Sequence, residues 1–230
     1  MPVIGAGRFI GPGHPIRDGL ILWYDSRFKE PDLASGDEWF DISGRGQDAA
    51  AFGDPAWDYG HYFDLDGTDD FFRLTNGVGG TQTDWTIEFW GDRDDTGTTQ
   101  YMLDGRNAGA STDGTNWWFI TEISSFNTNY KQGAQLNWNA GYANWHQACV
   151  TDKNSTNTST LYINGESQDT GTSGTWNSND LTIGARMNNN SPWNGKIGCV
   201  RVYNRELSAQ EVRHNFLCDA PKFNITTEGV

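Results

Sequence analysis

The sequence is poor in residues that would build a disulfide framework, a membrane span or a helical bundle. It contains three cysteines in 230 residues, Cys149, Cys199 and Cys218, and an odd number cannot all pair with one another. Cys149 and Cys199 stand in apolar, strand-like segments, where a free thiol behaves as a small hydrophobe. No apolar run is long enough to span a bilayer, and lysine and leucine, which favour helices, are scarce.

Positive charge is also scarce in this chain. It has 16 lysine and arginine residues against 30 aspartate and glutamate residues, a formal net charge of −14 at pH 7. Such a surface repels phosphate groups, which argues against nucleic acid and anionic membranes as partners. An acidic surface favours solubility and attracts cations. No apolar N-terminal segment resembles a secretion signal, so we expect a protein that is not secreted by that route.

Glycine and aromatic residues, by contrast, are abundant. The chain contains 28 Gly and 11 Trp, and 13% of its residues are aromatic, which is typical of short strands joined by frequent turns. The segment from Trp85 to Trp90 alternates in polarity, with Trp85, Ile87 and Phe89 on one face. Asn164-Gly165 directly follows a strand-like segment and is a strong hairpin signal. The pattern predicts an all-β fold of two antiparallel sheets packed face to face.

One segment reads as a helix. Ser208 and Glu211 have the spacing of a capping box, in which each side chain satisfies a backbone amide of the first helical turn. Leu207 and Val212 stand at the positions of a hydrophobic staple, which fixes the angle at which the chain enters the helix. The sequence therefore predicts one short helix near the C-terminal end of the domain.

The two ends of the chain differ from its middle. Residues 1–19 are rich in Gly and Pro and cannot form a core of their own. The side chains that would contact a partner there are Val3, Ile4, Arg8, Phe9, Ile10 and Arg17. We therefore expect an N-terminal assembly arm at 1–19, a domain at 20–218 and a short tail at 219–230. The arm would bind a partner surface or further copies of the chain.

Two short acidic segments suggest a metal site. They are Asp64-x-Asp66-Gly67-x-Asp69-Asp70 and Asp92-x-Asp94-Asp95. Carboxylates in short loops are the hard oxygen ligands that calcium prefers. Aspartates that cap backbone amides in turns explain both segments more simply. The sequence therefore predicts no cofactor, with calcium as the alternative, and it assigns no set of ligands to calcium.

Several loops combine a tryptophan with asparagine, as a saccharide site requires. A pyranose face stacks on an aromatic ring, while its hydroxyl groups need polar partners. The candidates for glycan binding are Trp176, Asn177 and Asn189. Trp193, close to Asn189, has a simpler explanation as part of a structural turn, and Trp138 as part of the core.

Five ordered motifs resemble laminin G-like domains of the concanavalin A-like lectin and glucanase group. They are Trp85-Thr-Ile-Glu-Phe-Trp, Trp145-His-Gln-Ala-Cys-Val, Leu161-Tyr-Ile-Asn-Gly, Leu181-Thr-Ile-Gly and the strand-to-helix segment from Trp193 to Phe216. The resemblance covers about Leu20 to Cys218. It implies a two-sheet antiparallel jelly-roll sandwich with one short C-terminal helix, and calcium at a loop rim in many members. It does not fix a function, because this fold serves many.

Catalytic motifs are absent from the sequence. Hydrolases of this fold group use carboxylates at alternate strand positions, as in Glu-x-Asp-x-Glu, so that acid and nucleophile share one face. The chain has eight glutamates, and none lies in that pattern. There is also no Gly-x-Ser-x-Gly elbow for a serine nucleophile. The sequence therefore favours a protein that is not an enzyme.

Two functions from different classes remain open. The first is a virion structural protein, a capsid-decorating or surface protein of a tailed phage that is assembled in the host cytoplasm. Its arm would bind capsid or other virion proteins, by analogy with phage proteins that resemble this family. The second is a carbohydrate-binding or adhesion module that binds surface glycans with rim loops of the sandwich.

Overall fold

A computed structural model describes most of the chain. The described residues are 13–28, 37–58, 61–75, 77–79, 81–94, 98–105, 119–123, 127–132, 134–139, 144–174, 176–177 and 180–227. The strands in chain order are β1 (Leu20–Asp25), β2 (Glu38–Trp39), β3 (Ala49–Phe52), β4 (Ala56–Asp58), β5 (Tyr62–Asp66), β6 (Phe71–Leu74), β7 (Thr81–Gln82), β8 (Asp84–Arg93), β9 (Gln100–Asp104), β10 (Phe119–Ile123), β11 (Asn127–Gln132), β12 (Ala134–Asn139), β13 (His146–Lys153), β14 (Thr158–Ile163), β15 (Glu166–Gly171), β16 (Trp176–Asn177), β17 (Leu181–Ile183) and β18 (Asn194–Tyr203). One α-helix, α1 (Ala209–Asp219), and three short 3-10 helices (Ser26–Phe28, Asn154–Thr156 and Ala220–Phe223) complete the described elements.

These strands form two large antiparallel sheets. The first has the order β15-β14-β13-β8-β18-β5-β4, and β1 also pairs with β18. The second has the order β12-β11-β10-β9-β17-β6-β3-β2, and β16 and β7 form a separate small ribbon. The predicted all-β sandwich of two antiparallel sheets with one short C-terminal helix is confirmed.

The core lies between the two sheets and is rich in aromatic rings. Trp85, Ile87 and Phe89 of β8 face it and are fully buried, as their alternation predicts. Trp39 packs against Phe63 of the first sheet with ring centroids 5.0 Å apart. Rings of this size bury a large apolar area per residue, so a chain of modest hydrophobic content builds a sufficient core.

The outer face of β8 is buried as well, because α1 covers it. The predicted capping box is present: the Ser208 hydroxyl accepts from the Glu211 amide at 3.3 Å, and the Glu211 carboxylate accepts from the Ser208 amide at 2.8 Å. The helix runs to Asp219, one residue beyond the predicted domain boundary. Phe223, in the predicted tail, stacks on Trp145 with centroids 4.3 Å apart. No helix within the described ranges has the length and apolarity needed to cross a membrane.

A buried ion network ties α1 to the first sheet. Arg201 of β18 contacts Glu88 of β8 at 3.0 Å and Asp219 of α1 at 2.6 Å, and all three side chains are at most 1% exposed. Burial alone would raise the pKa of Asp219, but Arg201 and Lys222 hold it below its usual value. The helix is thus docked by charge as well as by apolar contact.

Part of the predicted arm packs on the domain. Ile16 is buried, and its amide donates to the Asn215 side chain at 2.8 Å. Its carbonyl accepts from the Tyr203 hydroxyl at 3.2 Å. The Arg17 guanidinium lies 4.0 Å from the centroid of the Trp23 ring. The remaining predicted arm residues, Val3, Ile4, Arg8, Phe9 and Ile10, lie outside the described residues.

Candidate functional site

An acidic cleft of about 850 Å³ lies where the chain crosses from the first sheet to the second. β5 belongs to the first sheet and β6 to the second, and the short turn between them forms part of the wall. Six aspartates line this acidic cleft: Asp54, Asp64, Asp66, Asp69, Asp70 and Asp94. Among the described residues that line it, none is a lysine or arginine.

Asp70 organises the turn at the bottom of the acidic cleft. Its carboxylate accepts from the amide of Asp54 at 2.6 Å and from the amide of Asp66 at 3.0 Å. Gly53 has a φ of +69°, and a side chain there would clash with Asp70. Glycine adopts this left-handed conformation without a steric penalty. The interpretation of these aspartates as turn-capping residues therefore holds for Asp70.

Burial is the main cause of the raised pKa values of two carboxyl groups in the acidic cleft. Burial raises the pKa of Asp64; Lys196 counteracts this effect, and nearby Asp94 adds to it. Burial also raises the pKa of Asp70, against the hydrogen bond from the Asp66 amide that lowers it. A raised carboxyl pKa means that the ionised form of Asp64 and of Asp70 is disfavoured relative to a carboxylate in water.

Three of these carboxylates are close enough to share one cation. Ligand oxygens of Asp66, Asp69 and Asp70 all lie within 4.8 Å of one another. Asp94, from the second acidic segment of the sequence, faces the same cleft, while Asp95 lies outside the described residues. Oxygen-only donors in this arrangement fit a hard cation such as calcium. Calcium binding stays a prediction.

An aromatic–arginine platform, made of Phe52, Phe71 and Arg73, lies on the outer face of the second sheet. Phe72 and Leu74 point into the core, so Phe71 and Arg73 point outward. Phe52 of β3 pairs with Phe71 of β6, and their rings stack with centroids 4.5 Å apart and planes at 8°. Phe52 is 40% exposed, whereas Phe71 is buried beneath it.

The guanidinium of Arg73 is held in place over both rings. Its carbon lies 4.9 Å from the Phe71 centroid and 5.6 Å from the Phe52 centroid. Its Nε donates to the Thr182 hydroxyl at 3.2 Å, and its Nη2 donates to the Asn189 side chain at 2.7 Å and the Met187 carbonyl at 3.0 Å. Burial lowers the pKa of Arg73, and Asp180 and Asp104 oppose that shift. The side chain is therefore oriented before any ligand binds.

The acidic cleft and the platform are direct neighbours along the chain. Phe52 is followed by Gly53 and Asp54, and Phe71 is preceded by Asp70. Consecutive Cα atoms are about 3.8 Å apart, so the backbone of Asp54 and Asp70 lies beside the platform. The two features are thus adjacent, and together they offer an aromatic surface and many hydrogen-bond acceptors.

The predicted glycan-binding residues lie on different segments of the chain. Asn189 is exposed at the edge of the platform, with a φ of +64°, and its side chain orients Arg73. Trp176 and Asn177 lie on β16, paired with Gln82 and Thr81 of β7, and their side chains lie outside the described residues. No described contact joins them to Asn189.

Sequence reasoning missed the platform itself. Phe52 and Phe71 are 19 positions apart, and only the pairing of β3 with β6 brings them together. One signal was present: in the run Phe71 to Leu74, period-two alternation places Arg73 on the same face as Phe71. A basic residue in an otherwise apolar strand of an acidic protein is a useful marker of an outward-facing site.

One family model matches this chain. The concanavalin A-like lectin/glucanases superfamily model, of the laminin G type, covers residues 66–213. That range includes β6, the turn of the acidic cleft and the capping box of α1. No curated protein is significantly similar to the chain in sequence.

Solved structures of botulinum neurotoxin binding domains share the fold. The serotype D/C VPI 5993 binding domain is 18% identical, with 87% of this chain and 52% of that chain covered and a TM-score of 0.65. The receptor binding domain of the C/D mosaic serotype is 14% identical, with 87% and 51% covered and a TM-score of 0.65. The serotype D ligand binding domain in complex with N-acetylneuraminic acid gives the same four values, 14%, 87%, 51% and 0.65. This chain spans about half the length of those chains, and identities this low show the shared fold alone.

Proposed function

This chain belongs to the concanavalin A-like lectin/glucanase superfamily, and we propose that it is a non-catalytic module that binds a carbohydrate. The site is the aromatic–arginine platform together with the adjoining acidic cleft. The proposed site consists of loops and strand ends at the rim of the sandwich. The rigid sheets hold these loops and strand ends in place.

The observation that carries the proposal is the exposed ring of Phe52. Single exposed apolar residues are common at protein surfaces, so its orientation and not its exposure alone singles out Phe52. Its ring is stacked on Phe71, so its plane is fixed. A fixed aromatic plane is the surface on which a pyranose ring packs with little loss of side-chain entropy.

Polar groups surround the ring on two sides. The Arg73 guanidinium and the Asn189 amide lie along one edge of the platform. The carboxylates of Asp54, Asp69 and Asp70 belong to the cleft next to it. Hydroxyl groups of a sugar donate to carboxylates and accept from guanidinium groups, so both kinds of partner are present. The binding of a saccharide by a neurotoxin domain of the same fold supports this reading.

The virion role that the sequence suggested stays a prediction. Most of its arm lies outside the described residues, and capsid proteins, copies of the chain and surface glycans remain its predicted partners. A saccharide-binding module is compatible with that setting, because a surface-exposed virion protein can also bind glycans.

The proposal is tested with a glycan array followed by calorimetric titration of the best ligand. The variant Phe52→Ala should weaken binding by about tenfold, because it removes the stacking surface. Phe28→Ala is the matched control: Phe28 is also an exposed phenylalanine, 53% exposed, but it contacts Trp23 instead of the platform. Absence of binding to every glycan, or equal loss in the two variants, would refute the proposal. Release of sugar from a bound oligosaccharide would refute the non-catalytic assignment.

A further inference from the structure

The electrostatic surroundings of the platform are strongly negative. Six aspartates line the adjoining cleft, and each carries a full negative charge when ionised. Lys196, the lysine beside the cleft, contacts Asp92 at 3.3 Å and is therefore already engaged. Clefts lined by one sign of charge focus the field, so an anion that approaches this site meets a repulsive potential.

The one cation of the platform does not reverse this potential. Arg73 donates through Nε and Nη2 to three neutral oxygens, those of Thr182, Met187 and Asn189. Burial lowers the pKa of Arg73, and Asp180 and Asp104 oppose that shift, so nearby acidic groups partly offset its charge. A ligand carboxylate that binds through Nε or Nη2 has to displace the neutral partners of these atoms.

Resting on the proposed function, we propose that the platform takes a pyranose without negative charge, and that the neighbouring cleft carboxylates reject acidic sugars such as sialic acid. Exclusion of a wrong ligand by repulsive charge is a common route to specificity. Neutral sugars keep both the stacking contact and the carboxylate acceptors. Sugars with a protonated amine gain an additional attraction.

A neurotoxin domain of the same fold was solved with N-acetylneuraminic acid, a sugar of the acidic class that this site is proposed to reject. The two chains are 14% identical over the matched region, so a shared fold leaves the charge of the site free to differ. The fold provides the rim, and the six aspartates of this chain set the sign of the potential there.

The test uses two pairs of related saccharides whose members differ in charge. Lactose is compared with 3′-sialyllactose, and the glucosamine trimer with the N-acetylglucosamine trimer, by NMR titration of the full chain at low salt. We expect the sialylated member to bind at least about tenfold more weakly than lactose, and the amine trimer to bind more tightly than its acetylated form. Both differences should shrink at high salt, because screening weakens interactions between exposed charges.

A charge-matched pair of variants locates the effect. Asp54→Asn with Asp94→Asn removes two exposed charges of the cleft, and the Asp54 amide that bonds Asp70 is retained. Asp18→Asn with Glu166→Gln removes two exposed charges beside Arg205 and Arg213. The first pair of substitutions should reduce the difference in affinity between lactose and sialyllactose. The second pair should leave that difference in affinity unchanged.

The outcomes separate the two proposals. If sialyllactose binds as tightly as lactose through Phe52, the charge selection is wrong and the carbohydrate-binding function stands. Equal effects of the two double variants also overturn the selection, since net charge alone would then explain it. If neither these saccharides nor any glycan of the array binds, both proposals fail.

Discussion

Removing one charge from the buried network should destabilise the whole domain. In Asp219→Asn, the side chain keeps its size but loses the negative charge that faces Arg201 at 2.6 Å. Arg201 is fully buried and retains Glu88 at 3.0 Å and the Trp23 ring, whose centroid is 5.0 Å away. Loss of one partner from a buried ion pair costs about 3–5 kcal/mol.

For a chain of this length, that cost corresponds to a fall in Tm of about 6–20 °C. The measurement is urea unfolding followed by tryptophan fluorescence, together with a thermal scan by circular dichroism. Glu166→Gln is the control, because it removes a carboxylate from an ion pair with Arg213 whose side chains are 60% and 31% exposed. An exposed pair contributes about 1 kcal/mol or less.

The loss in free energy of unfolding caused by Asp219→Asn should depend on pH in a defined direction. Burial opposes ionisation of Asp219, yet Arg201 and Lys222 hold its folded-state pKa below the usual 3.8. A depressed carboxyl pKa stabilises the fold above the unfolded pKa, and this stabilisation is lost as the pH falls through the folded pKa. The difference between wild type and Asp219→Asn should therefore be largest near about pH 7 and shrink below about pH 4. A deficit under about 1 kcal/mol, or one that stays constant with pH, would refute this account of the network.

Three further predictions concern the cleft, its turn and the N-terminal segment. Calcium should raise the Tm in proportion to the logarithm of the calcium concentration. The variant Asp69→Asn should remove this rise in Tm, whereas the control Asp18→Asn should retain it. An unchanged Tm of the wild type in calcium would contradict the cation site. Gly53→Ala should destabilise the domain by about 1–3 kcal/mol in urea unfolding, because residue 53 has a φ of +69° and its new Cβ would clash with Asp70; an unaltered midpoint would show that the turn adapts. Ile16→Ala should cost about 2–5 kcal/mol in the same assay if the buried side chain is part of the core, whereas a truly free arm would give no change.

Local patterns in the sequence predicted the elements that depend on local physics. The alternation in β8 and the capping box at Ser208 are properties of a few neighbouring residues, and both are confirmed. The burial of Glu88 on the other face of β8 was not predictable in this way. Glu88 is buried because α1 packs over that face of β8 and because Arg201, which is 113 residues distant along the chain, contacts it.

The candidate site likewise combines features that local sequence predicts with features that depend on long-range strand pairing. The acidic segment around Asp66 was visible as a group of carboxylates, because its members are close in sequence. Asp54 and Asp94 join them only through the pairing of β5 with β4 and with β18. The stacking of Phe52 on Phe71 likewise depends on the register of two strands. Sequence spacing contains no direct information on such long-range register, so the platform emerged only from the structure.

The position of β18 has a consequence for biosynthesis. This strand follows all other described strands in sequence, yet it lies inside the first sheet, where it pairs with β8 on one side and with β1 and β5 on the other. Until β18, which begins at residue 194, has left the ribosome, the earlier strands of the nascent chain therefore lack their central neighbour. Unpaired strand edges of that kind invite association with other chains. The first sheet of this domain should accordingly be completed only after β18 has been synthesised.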